Sequence, residues 1–143
     1  EQIRSIITDC FMSKTGIYHY LSTAKHNYKA YFTEDEEKLK KYFYVLRPIL
    51  AAKWIISHGT PPPMLFSELM DAELDEAVRP DVEKLLDMKI NTSEIGKGKR
   101  IKNLDRYIST EMADIQIRTD SLAAEKPVPW EELDDILFSL LGV

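Results

Sequence analysis

The chain has 143 residues, 44% of them hydrophobic and 30% charged, with a net charge of −5. Such a length and apolar content support one domain with a real core and argue against disorder, while the acidic balance argues against a global polyanion-binding surface and leaves room only for a local basic patch. The single cysteine, Cys10, rules out an internal disulfide, and no apolar run approaches the ~20 residues needed to span a membrane, so a cytoplasmic protein without membrane contact is expected.

Apolar residues recur at three- and four-residue spacings, and no stretch alternates apolar with polar, so the expected fold is all-α: a single-domain bundle of about six to seven helices over residues 1–143. A first helix is predicted over about 2–13, with Ile3, Ile6, Ile7, Cys10 and Phe11 on one face. Lys14-Thr15-Gly16 reads as its stop, and a second helix covers roughly 16–32. Thr33 followed by Glu36 is a capping-box pattern and opens the longest helix, which ends near Ser57-His58-Gly59. Thr60-Pro61-Pro62-Pro63 then forces an extended connector. A short helix follows at about 65–74, and another starts at Arg79-Pro80-Asp81 and ends near Met88–Ile90. Residues 91–103 are polar, glycine-bearing and basic, which predicts a mobile loop. A helix from Asn103 or Asp105 to about Leu122 and a last one from Trp130 to Leu141 complete the bundle.

The long helix carries the chemistry. Leu39, Tyr42, Phe43, Leu46, Ile49, Leu50 and Ile56 form a broad apolar arc, so the helix is expected to be largely buried. Lys53 projects into that arc, where an ammonium must snorkel out, pair with a carboxylate or meet an anionic ligand. Lys40, Tyr44, Arg47 and Ala51 form a narrow stripe, either an ordinary solvated face or a place where the fork-shaped Arg47 meets a phosphate or carboxylate. Pro48 removes a backbone donor inside the helix, at a cost of ~3 kcal/mol, and leaves the carbonyl of Tyr44 without its usual partner.

Other candidates are weaker. His19 and His26 share a face but lack a carboxylate or cysteine at metal-ligand spacing. Gly96-Lys97-Gly98-Lys99-Arg100 lacks the spacing and the Ser/Thr of a phosphate loop, so it reads as a flexible basic segment that touches nucleic acid by charge at most. Neither Ser-His-Asp nor Cys-His appears in a recognisable local context.

His19-Tyr20-Leu21-Ser22-Thr23-Ala24-Lys25-His26-Asn27-Tyr28, the stretch from Leu39 to Ile55 with Lys41-Tyr42-Phe43-Tyr44-Val45-Leu46-Arg47-Pro48 at its centre, and Gly59-Thr60-Pro61-Pro62-Pro63 carry a resemblance. They resemble the C-terminal helical half of nucleotidyltransferases in the DNA-polymerase-beta superfamily, the group linked to an RNA repair pathway. The likeness is good over roughly residues 1–70 and generic beyond. It implies a preceding α/β domain in which a Gly-Ser turn and paired aspartates bind two Mg²⁺ ions and align a nucleoside triphosphate for in-line attack. No such segment occurs here, so the chain, which begins at Glu1, is expected to be the helical C-terminal part of a longer protein, without a catalytic site or metal of its own.

The resemblance further implies that these helices close the cleft of their own N-terminal nucleotidyltransferase domain. Their expected partners are a nucleoside triphosphate and RNA. Matching positions make Lys41, Tyr42, Arg47, Lys53 and Trp54 the expected substrate-binding residues, with Tyr20 and Asn27 behind them. Arg47 and Lys53 would contact phosphates, and Tyr42 or Trp54 would stack on a base. Two rival readings stay open: a non-catalytic interaction module, and an RNA-binding bundle that uses Lys97, Lys99, Arg100 and Lys102.

Overall fold

A computed structural model of the protein describes residues 13–33, 36–91, 97–122, 138–139 and 141–142. The helices expected at 2–13 and from Trp130 to Leu141, and with them Cys10, fall largely outside these residues. Five helices stand within them: α1 (Ser13–Tyr31), α2 (Lys41–His58), α3 (Phe66–Glu73), α4 (Arg79–Asn91) and α5 (Lys102–Asp120). The fold is all-α, with one small addition, a two-stranded antiparallel ribbon of β1 (Glu36–Lys38) and β2 (Lys97–Lys99).

The helix bounds differ from expectation at three places. Gly16 does not stop a helix; α1 runs through it, and Gly16 is not among the glycines with positive φ. A mid-helix glycine costs only ~1 kcal/mol against alanine, less than α1 gains by burying Ile17, Leu21 and Ala24. The Thr33-x-x-Glu36 pattern does not open the long helix, because Glu36 lies in β1, in register with Lys99. The chain enters α2 only at Lys41, and Lys40 makes no side-chain cap. The basic run expected to be mobile is likewise structured in part, since Lys97, Gly98 and Lys99 pair with Lys38, Glu37 and Glu36. Gly98 has little room for a side chain: a Cβ there would lie 3.0 Å from Cδ1 of the buried Leu39. Three-residue strands are too short to show an alternation, which is why the sequence does not disclose them.

The end of α2 is as expected. Gly59 takes a left-handed conformation (φ 67°), and its N–H donates to the Ile55 carbonyl at 2.8 Å. Between these ends α2 is buried on nearly every side, including Val45, Leu46, Pro48, Ile49, Leu50, Ala51, Ala52 and Ile55. Ala51, expected on the exposed stripe, is therefore an interior residue; Lys40, Tyr44 and Arg47 of that stripe are exposed. α2 packs on α1, α3 and α5. Leu69 and Met70 of α3, Val82 and Leu85 of α4, and Leu104, Ile108 and Ile115 of α5 extend the same continuous core.

Polar ties fasten the helices where the core ends. Along the α1–α5 seam, the Tyr18 hydroxyl donates to Asp120, and the Lys25 ammonium donates to the Gln116 side-chain oxygen at 2.8 Å. A part-buried tie lies at Tyr42. Its hydroxyl donates to Asp105 Oδ1 at 3.0 Å and accepts the N–H of Ile101, the residue that caps α5, at 2.8 Å. Burial, more than the nearby Asp105 charge, pushes this hydroxyl well above its ordinary range, so it stays protonated and able to donate. Arg100 completes the knot by donating to Asp105 Oδ2 at 3.1 Å and to the Tyr28 hydroxyl at 2.9 Å.

Replacing Tyr42 with phenylalanine keeps the ring and strips both hydrogen bonds. The expected loss is about 1–3 kcal/mol, because the Ile101 N–H is left unpaired beside a buried ring. Urea denaturation followed by circular dichroism measures it, and an unchanged midpoint would contradict the account.

Candidate functional site

A groove of ≈ 560 Å³ runs between α1 and α2 and is bounded at one side by α3 and α4. α1 contributes His19, Tyr20, Thr23, Asn27 and Tyr31, which recur at helical spacings along one face. α2 contributes Phe43, Tyr44, Arg47 and Pro48, and Phe66 and Leu86 close the side. Five of these eleven residues are Phe or Tyr, one is a cation, and none is a carboxylate. Among the described residues this wall holds no acid, which favours an anionic or aromatic guest over a cationic one.

Arg47 is positioned before any guest arrives. One guanidinium nitrogen, Nη1, donates to the Met64 carbonyl at 2.7 Å, and the fork lies 5.7 Å from the centre of the Phe66 ring. Phe66 is held in turn by Phe43, edge to face, at 5.6 Å. The proline-rich connector expected after α2 thus delivers both the carbonyl and the ring that aim Arg47. Among the described residues no carboxylate pairs with Arg47, so the remaining donors of its fork face no built-in anion. Tyr44, 50% exposed, stands one turn earlier on the same face, with its ring 5.9 Å from that of Tyr31 and tilted by 55°.

The defect at Pro48 explains why Asn27 is where it is. The amide of Asn27 donates to the carbonyl of Tyr44 at 2.9 Å, and this is the acceptor that Pro48 deprives of its helical partner. A side chain of α1 thus replaces the backbone donor missing from α2, and it does so in the groove wall.

The other expected site residues lie apart from the groove. Tyr42 is fully buried and occupied at the start of α5, with no open face for a base. Lys53 lies on another face of α2, where its ammonium donates to the Tyr107 hydroxyl at 3.2 Å and pairs with Glu111 at 3.5 Å. Burial pulls Lys53 down, but Tyr107 and Glu111 together outweigh it and hold the ammonium above its ordinary pKa. Trp54 stacks on His58 at 3.7 Å, with its N–H 3.3 Å from the Thr60 hydroxyl. Lys41 sits 5.5 Å over the Tyr31 ring, at the rim of the groove rather than in its wall. Of the seven, only Arg47, Tyr20 and Asn27 line the groove together. Tyr31 is visible in the sequence as part of an apolar stripe, whereas nothing local marks Phe66.

Arg100, proposed above for a basic RNA-binding segment, is committed inward: its guanidinium lies 5.4 Å over the Phe32 ring and pairs with Asp105. The resemblance implies Mg²⁺ for the parent enzyme. Among the described residues no group of three or more His, Cys, Asp or Glu could hold a metal ion. Also among them, no helix is long and apolar enough to cross a membrane.

The Asn27 assignment makes a sharp forecast. Asn27→Ala should cost about 1 kcal/mol, the usual worth of one such bond. In a Pro48→Ala background, where residue 48 regains its N–H, the same change should cost measurably less. A double-mutant cycle by chemical denaturation reads the coupling; strict additivity would refute the pairing of defect and remedy.

A protein described as "Uncharacterized protein YcgL", from Bacillus subtilis (strain 168), is 40% identical over 140 residues, which is 97% of this chain and 54% of that protein. The chain therefore spans about half the length of the curated relative it matches. No solved structure matches it. The family model for RlaP matches residues 1–139, so the chain belongs to the RNA repair pathway DNA polymerase beta family.

Proposed function

We propose that the groove between α1 and α2 is a substrate-holding wall of a nucleotidyltransferase, with Arg47 binding a phosphate of the nucleotide or of the nucleic-acid acceptor. The observation that carries this reading is the combination at Arg47: a guanidinium fixed by the Met64 carbonyl and the Phe66 ring, unpaired by any described carboxylate, in a groove whose described lining holds no acid. A planar fork held this way loses little freedom on binding and suits a phosphate oxygen pair. Membership of the family supports the same reading from an independent side.

In this reading the metal-dependent step belongs to another part of a longer protein, whose paired carboxylates would hold Mg²⁺ and the triphosphate. The helical part contributes binding and orientation, which is where much of the acceleration of phosphoryl-type transfer comes from. Lys53 serves as an internal comparison. It is engaged by Glu111 and Tyr107 on a different face of α2, so it supports the bundle rather than the substrate.

Arg47→Ala in the intact protein should weaken binding of its nucleotide or nucleic-acid ligand by about tenfold or more, the size expected for one charge-assisted hydrogen bond. Arg47→Lys should recover part of the loss, and Lys53→Met should leave affinity near wild type while lowering stability. Isothermal titration against nucleoside triphosphates and short RNA strands measures all three. Equal affinities for wild type and Arg47→Ala with both ligand types would remove the groove from the proposed site.

A further inference from the structure

The groove's supply of charge and of ring faces distinguishes between the two guests left open above. A nucleoside triphosphate gathers several negative charges around one base, and its sites use several cations or backbone N–H groups together. This groove offers the reverse ratio: one guanidinium against five Phe and Tyr side chains. A single strand of nucleic acid carries one charge per base, and each base has a face that stacks on an aromatic ring. Tyr44 is half exposed, and its ring is tilted 55° to that of Tyr31 rather than stacked on it. Arg47 is three residues further along the same helix face, so a stacking ring and a phosphate donor alternate along the groove.

Resting on the proposed function, we infer that the α1/α2 groove takes the unpaired end of a nucleic-acid acceptor strand, with a base against Tyr44 and its phosphate on Arg47, and does not take the nucleoside triphosphate. Bases inside a duplex have both faces covered and only the terminal pair keeps one face open, so an annealed strand offers Tyr44 far fewer ring faces than an unpaired end does. The half-exposed position of Tyr44 also means that its substitution perturbs binding with little effect on the core.

The test uses fluorescence anisotropy of the intact protein with an end-labelled short single-stranded RNA, the same strand annealed to its complement, and ATP as competitor. The single strand should bind. Annealing should weaken it about tenfold, and Tyr44→Ala should do the same, within the range that stacking gives per base. Tyr44→Phe, which keeps the ring, should stay within about twofold of wild type. Arg47→Ala should flatten the logarithmic salt dependence by about 0.7, the value for one phosphate on a single strand. Displacement of the strand by ATP, with Tyr44→Ala as tight as wild type, would overturn the inference yet leave the groove as a nucleotide site. Binding of either ligand that is indifferent to both Arg47 and Tyr44 would overturn the inference and the proposed function together. No binding of any nucleic acid would overturn the inference alone; no binding of nucleic acid or of ATP would overturn both, and would point to a protein partner on the exposed Met64 and Leu65 beside Arg47.

Discussion

The groove wall between α1 and α2 is tied by one hydrogen bond, from the amide of Asn27 to the carbonyl of Tyr44. Pro48 sits in the middle of the most buried helix and removes the donor that this carbonyl would normally meet. In the groove wall this carbonyl would otherwise turn to water, and a neighbouring side chain supplies the donor instead. It comes from α1, and it fixes α1 against α2 at the height of Tyr44 and Arg47. The groove lies at the height of that bond. The faces of the two helices that remain after the core is packed are turned toward each other at a set spacing, with Phe66 and Leu86 closing the side.

The treatment of positive charge across the chain separates structure from site. Lys53, Arg79 and Arg100 are partly buried and each meets a carboxylate: Glu111, Glu76 and Asp105 respectively. Arg79 also reaches the Met70 carbonyl at 3.2 Å, tying α4 back to α3. In all three, burial opposes the charged form and the partners outweigh it, so each cation is held above its ordinary pKa. Such pairs settle how helices meet more than they add net stability. Arg47 follows another pattern: a neutral carbonyl and a ring orient it without cancelling its charge. This contrast, more than any count of basic residues, is why the binding argument rests on Arg47.

Much of this was legible in the residues. Helical periodicity disclosed the all-α class, His58-Gly59 disclosed the end of α2, and Pro48 disclosed an orphaned carbonyl at Tyr44 by chemistry alone. What the residues could not disclose was who repairs it, because Asn27 lies 17 positions away and no local pattern links the two. The same limit applies to Lys53. Its need for a partner followed from its place in an apolar arc, but Tyr107 and Glu111 come from a helix more than fifty residues on. Thr33-x-x-Glu36 misled because a local cap signature competes with a long-range strand pairing, and here the pairing of Glu36 with Lys99 prevailed. Tyr42 and Trp54 drew notice as rings on the long helix, but only tertiary packing reveals which rings of α2 face inward and which face the groove.

The central claim, that bases lie against the groove wall built on the Asn27–Tyr44 bond, is tested most directly by photocrosslinking. The intact protein would be irradiated with a single-stranded RNA bearing 5-iodouridine and the adducts located by mass spectrometry. Adducts on Tyr44, Tyr31 or Phe66 are the predicted result. Adducts confined to the Lys97–Lys99 strand, or to residues away from α1 and α2, would contradict the account.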